Sequence, residues 1–132
     1  DYEKHPSLDE HPMVGVKVLE EKGFPEEGLN AIKGHAEYLD VPRTTPMAKT
    51  LFAVDELVGL ITACALVRPT KSILDMKIKS IKKKWKDKAF AKGVDRGQIE
   101  RAAADLGVPL EEHLQTVLGA MCEGAGRLGL AG

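Results

Sequence analysis

The chain has little with which to build a redox or disulfide framework. Only Cys64 and Cys122 occur among 132 residues, and each sits inside an apolar helical pattern. They read as reduced core residues of a cytosolic protein. No Cys-x-x-Cys spacing is present, so the usual structural-zinc frameworks are excluded. Long uncharged apolar runs are missing as well. The most apolar stretch is LFAVDELVGLITACAL, Leu51 to Leu66. It is too short and too acidic to span a bilayer, which takes about 20 mostly apolar residues. No secretory signal pattern occurs, so the expected location is the cytoplasm and no membrane partner is expected. Net charge is nearly absent too. The 19 Lys and Arg against 20 Asp and Glu leave −1, so the molecule as a whole is not built for a polyanion. Strand-like alternation of useful length is lacking, as are internal repeats.

What is there is helical periodicity. At about 100–200 residues per domain, the chain is expected to form one domain over residues 1–132. In HPMVGVKVLEEKG, Met13, Val14, Val16, Val18 and Leu19 make a helix face, with His11 at the N-cap, Pro12 at the first helical position and Gly23 as the stop. Pro25 restarts a helix with Glu26 and Glu27 in its first turn. Leu29, Ile32 and Ala36 share one side of it, and His35 is their neighbour. Residues 40–46 form a loop. A central helix runs from Pro46 to about Val67, and VRPTK breaks it. SILDMKIKSIKKKWKDKAFAK reads as one helix, with a possible break at Asp87. Leu74, Ile78, Ile81 and Trp85 are its expected buried stripe. Asp95 and Gln98 have capping-box spacing ahead of IERAAADL. Gly107 closes that helix and Pro109 opens the last one. The tail, residues 124–132, is expected to be flexible. The predicted class is all-α, a compact bundle of about six helices.

The charges are unevenly placed. Residues 1–60 are acid-rich, while residues 77–92 hold eight lysines and one acid. A lysine face can track a phosphate backbone, with Trp85 as a stacking surface. Trp85 also falls at core spacing from Ile78 and Ile81, and no base-reading motif accompanies it. Nucleic acid is therefore not an expected partner. His113, in EEHLQ, is expected at the surface or in helix packing.

Three consecutive helices each offer one ligand-type side chain: His11, His35 and Asp55. Imidazole with carboxylate suits Zn, Mn, Fe or Ni better than Ca or Mg. The helical neighbours of Asp55 are Leu51, Phe52, Val58 and Gly59, which puts Asp55 on or beside the core face. Gly59, one turn on, would leave room for another group. A buried Asp could equally cap a neighbouring helix or accept from a histidine.

DYEKHPSLDEHPMVGVKVLEEKGFPEEGLNAIKGHAEY, followed by PMAKTLFAVDELVGLITACALVRPTKSI, resembles the small HDIG-type group of HD-domain phosphohydrolases. DEHP, the GHA of the second helix and FAVDELVGLI carry the resemblance most specifically. It implies a helical fold, one or two divalent metal ions (Mn, Fe, Zn, Ni or Mg) and hydrolysis of a phosphorylated small molecule such as a nucleotide. Asp55 would match the terminal Asp ligand. His11 and His35 would match two histidines that bind a second metal or line the phosphate pocket. Asp1 would fall just after the His-Asp doublet, and is taken with His11 and His35 as a catalytic residue. Arg68, Arg43, Lys49 and Lys71 are the candidate phosphate clamps, Arg68 foremost. The doublet itself and an earlier histidine are not in the sequence. The chain is thus expected to be N-terminally incomplete, with activity requiring that segment and with homo-oligomerisation as a consequence. The alternative is a non-catalytic helical module that binds nucleotide, nucleic acid or a protein partner.

Overall fold

The computed structural model describes residues 1–132, and every regular element in it is helical. The expected all-α class is what is found. The chain divides into two compact units, Asp1–Phe52 and Ala53–Gly132.

In the first unit, α1 spans Met13–Glu21 and α2 spans Glu26–His35. The α1 start is one residue later than expected. Pro12 takes the N-cap position and His11 precedes it, without a side-chain cap. A ring without an N–H suits a position whose amide would be unsatisfied anyway. Only Val16 of α1 is buried, while Met13 and Val18 are exposed. The turn after α1 closes by two backbone bonds, Phe24 to the Leu19 carbonyl and Gly23 to that of Glu20, both 3.0 Å. This paired closure needs a left-handed residue, and Gly23 supplies it at φ +75°. Glu26 and Glu27 occupy the first turn of α2, where they complement the helix dipole. Leu29, Ala31 and Ala36 are buried there. α1 and α2 pack against each other, and a short 3₁₀ turn, Glu37–Leu39, follows. Arg43 then fastens the loop, donating to the Gly34 carbonyl at 2.9 Å and lying 3.7 Å over the Phe52 ring.

α3 spans Pro46–Leu66, and its later turns belong to the second unit. That unit adds α4 (Ile78–Lys86), α5 (Arg96–Asp105) and α6 (Leu110–Glu123). Its core centres on Leu57, Leu60, Ile61, Ile73, Ile81 and Ile99, each at most 1 % exposed, with Leu114 and Leu118 from α6. Asp95 caps α5 by accepting from the Gln98 amide at 3.0 Å, as its spacing suggests. His113 takes the packing role: buried, its Nε2–H donates to the Ala53 carbonyl at 2.8 Å.

Two expectations fail in this unit. The lysine helix is nine residues long: it ends at the break expected at Asp87, but it starts at Ile78 and not near Ser72. Residues 72–77 are non-helical, so Leu74 leaves the expected stripe and is 59 % exposed, while Ile73 and Met76 are buried. Nor is the tail loose. Ala125 and Leu130 are buried, and Ile73 donates to the Leu130 carbonyl at 2.8 Å. The Ser72 hydroxyl donates to the Ala131 carbonyl at 2.8 Å. A segment with two apolar anchors and paired backbone is held by the same forces as the core.

Candidate functional site

α1 and α2 run back on each other through the Gly23–Pro25 turn, so residues from their opposite outer ends meet. His11, just before α1, and His35, the last residue of α2, face each other with Nε2 atoms 3.2 Å apart. Their ring centroids are 5.2 Å apart, so the rings meet almost nose to nose. Each ring is anchored at its other nitrogen. His11 Nδ1 is 2.6 Å from Asp1 Oδ1, and His35 Nδ1 bonds the Ile32 carbonyl. Carboxylate and carbonyl oxygens only accept, so both Nδ1 atoms carry hydrogen, an assignment made from the hydrogen-bond network. Neutral rings in that tautomer leave two Nε2 lone pairs facing each other. Such an arrangement is stabilised by a cation between them, either a shared proton or a metal ion.

Asp1 is more than a local partner. Its side chain is only 8 % exposed, and Oδ2 accepts from the Gly15 amide at 2.6 Å. A Cβ at Gly15 would lie 3.0 Å from that oxygen, so glycine is what lets the carboxylate reach the helix backbone. The Tyr38 hydroxyl donates to the His11 carbonyl, and Tyr2 packs edge-on against the His11 ring at 5.2 Å. Beside Asp1 an open cleft of about 560 Å³ is lined by Lys4, His5, Val14, Val18 and Leu19 among others.

The other expected site residues fare differently. Asp55 lies in the second unit and is exposed, not on the core face. Its neighbour Glu56 is the half-buried one, accepting from the Asp95 amide at 3.3 Å. Burial pushes the Glu56 carboxyl above its usual range, and the Asp95 amide partly opposes this. Gly59 is exposed with open space around it. Arg43 is engaged in the first unit as described. Arg68, just past α3, pairs with Asp75 at 2.6 Å while its buried Nε has no partner. Lys49 sits half-buried in the first turn of α3, and Lys71 is exposed at φ +50°. No group of three or more His, Cys, Asp or Glu side chains is arranged to hold a metal. Cys64 and Cys122 are both free, and burial pushes the Cys64 thiol up.

Three contributors escaped the sequence reading: Gly15, Tyr38 and the Ile32 carbonyl. A glycine inside a helical pattern is the one signal that pointed to a close approach there. Comparison with family models, curated proteins and solved structures finds no match for this chain.

Proposed function

We propose that the chain is a metal-dependent phosphohydrolase, or the major part of one, acting on a phosphorylated small molecule. The observation that supports it best is the His11–His35 pair. Metal-binding histidines almost always donate the second ring N–H to a carboxylate or a backbone carbonyl. Both rings here do so, to Asp1 and Ile32. The 3.2 Å between their Nε2 atoms also suits the donor set. Two imidazoles at usual zinc distances on a tetrahedral ion sit about 3.3–3.4 Å apart. The residues therefore fit a transition metal, with His11 and His35 holding it. When bound, such an ion supplies a hydroxide at neutral pH and polarises a phosphoryl oxygen.

The chain's own residues have defined roles in this reading. Asp1 fixes the His11 tautomer and turns its Nε2 lone pair toward His35. Gly15 holds Asp1 in place. Asp55, a further ligand implied by the resemblance, lies in the second unit and is exposed. Of the proposed clamps, Arg43 is engaged by Gly34 and Phe52 and Arg68 by Asp75.

Metal analysis of the native protein, with p-nitrophenyl phosphate as substrate, tests this. Bound transition metal is expected, with both metal and turnover lost in His11→Ala and His35→Ala. Asp1→Asn is expected to weaken metal binding about 10–100-fold. A protein that takes up no transition metal, and hydrolyses the ester equally well in all three variants, would overturn it. The lack of a three-residue ligand cluster favours the second reading, a non-catalytic helical module. Nucleotide binding without turnover would support that one instead.

A further inference from the structure

We infer that α4 and Trp85 form a binding surface for single-stranded nucleic acid, engaged through phosphates and a stacked base without sequence readout. Lys79, Lys82, Lys83 and Lys86 fall at i, i+3, i+4 and i+7, so α4 presents them as one stripe. All four are exposed, while Ile81 between them is fully buried. Lys77, Lys88 and Lys92 extend the exposed positive charge beyond both helix ends. Lys82 has an acidic partner, Glu111 at 2.8 Å, and the other six exposed lysines make no ion pair.

Helix physics explains only part of this arrangement: Lys83, Lys84 and Lys86 lie in the last turn, where cations complement the dipole, but the rest of the stripe has no such support. Like charges one turn apart destabilise a helix. Cations at the first turn oppose the dipole, yet Lys77 is the N-cap and Lys79 the second helical residue. A surface serving stability alone would have interspersed acids.

An independent feature lies at the same stripe. A cleft of about 240 Å³ is lined by Lys82, Trp85, Lys86, Leu110, Glu111 and Leu114. Trp85 packs against the core and is partly exposed at this cleft, between two lysines. An aromatic wall with flanking cations is the arrangement on which unpaired bases stack while their phosphates are neutralised. Lysine heads act as point charges on phosphate, and a stacked base is held without hydrogen-bond readout, so recognition is independent of sequence. A duplex keeps its bases stacked inside, which favours a single strand.

Trp85 is the only tryptophan, so its fluorescence reports the cleft directly. The full chain would be titrated with oligothymidylate, and in parallel with inorganic polyphosphate and polyglutamate. Oligothymidylate is expected to quench Trp85, with a log–log salt slope of about −3 if four phosphates are neutralised. The triple variant Lys79→Gln, Lys83→Gln, Lys86→Gln should lose affinity about tenfold or more, with unchanged circular dichroism. Equal binding of polyphosphate or polyglutamate without quenching would overturn the proposal, leaving a general anion surface. So would no binding at low salt, or quenching that the triple variant retains in full.

Discussion

Two adjacent carboxylates on α3 show how much one residue of helical phase decides. Asp55 is exposed and Glu56 is half-buried. The i±3 and i±4 neighbours of Asp55 are apolar by name, yet Leu51 and Val58 are only half-buried and Gly59 is exposed. The buried stripe runs through Ala53, Leu57, Leu60, Ile61 and Cys64, so its centre lies on another side of the helix from Asp55. Apolar spacing made the existence of a core face legible, but not which carboxylate stood nearer to it. Glu56 has its folded-state pKa raised by burial. A raised carboxyl favours the protonated form in the fold, so ionised Glu56 costs stability at neutral pH. The cost disappears as pH falls through the folded pKa toward the unfolded value of about 4.3. Glu56→Gln keeps the acceptor for Asp95 and should stabilise the protein slightly at pH 7, by less than about 1 kcal/mol given its exposure. Urea unfolding at pH 7 and pH 4 checks this, and the gain should vanish at the lower pH. Asp55→Asn should leave stability within about 0.5 kcal/mol, as an exposed substitution does.

Element ends carry the second set of differences. The lysine segment has helical periodicity beyond residue 86, yet α4 stops there because Arg96 captures the chain that follows. Its guanidinium donates to the carbonyls of Lys84, Trp85, Asp87, Phe90 and Val94, at 2.7 to 3.4 Å. These include carbonyls of the last α4 turn, where the Lys84 carbonyl also accepts from the Asp87 amide at 3.2 Å. The break at Asp87 was legible in the sequence, whereas a side chain arriving from ten residues downstream leaves no local signal of what holds it. Arg96→Gln removes most of these bonds and should cost about 2–4 kcal/mol, since bonds to charged donors contribute about 1.5–3 each. At the other end, the non-helical 72–77 segment separates Leu74 from Ile81. Ile81→Ala should cost about 2–5 kcal/mol, whereas Leu74→Ala should fall within about 0.5. Equal losses at the two positions, read from denaturant midpoints, would restore the longer helix. Gly23, Gly107 and Pro109, by contrast, ended or opened helices where the sequence placed them, because backbone restrictions act locally.

For the whole molecule, class was legible and convergence was not. Periods near 3.6 with glycine and proline punctuation specify a helical protein, and no strand forms. The meeting of Asp1, His11 and His35 depends on how α1 and α2 fold back, a long-range result that spacing does not encode. The resemblance picked out the same three residues, while the set with Asp55 came from helix order and from the resemblance. The structure sets Asp1 as the group that orients one histidine, with Gly15 and Ile32 completing the support. The central claim is that His11 and His35 hold one metal ion together. Zinc titration followed by nitrogen-15 NMR of the histidine rings tests it most directly. Both rings are predicted to start as the Nδ1–H tautomer, and both Nε2 signals to move together and saturate at one equivalent of zinc. Zinc binding that leaves either Nε2 signal unmoved would contradict it.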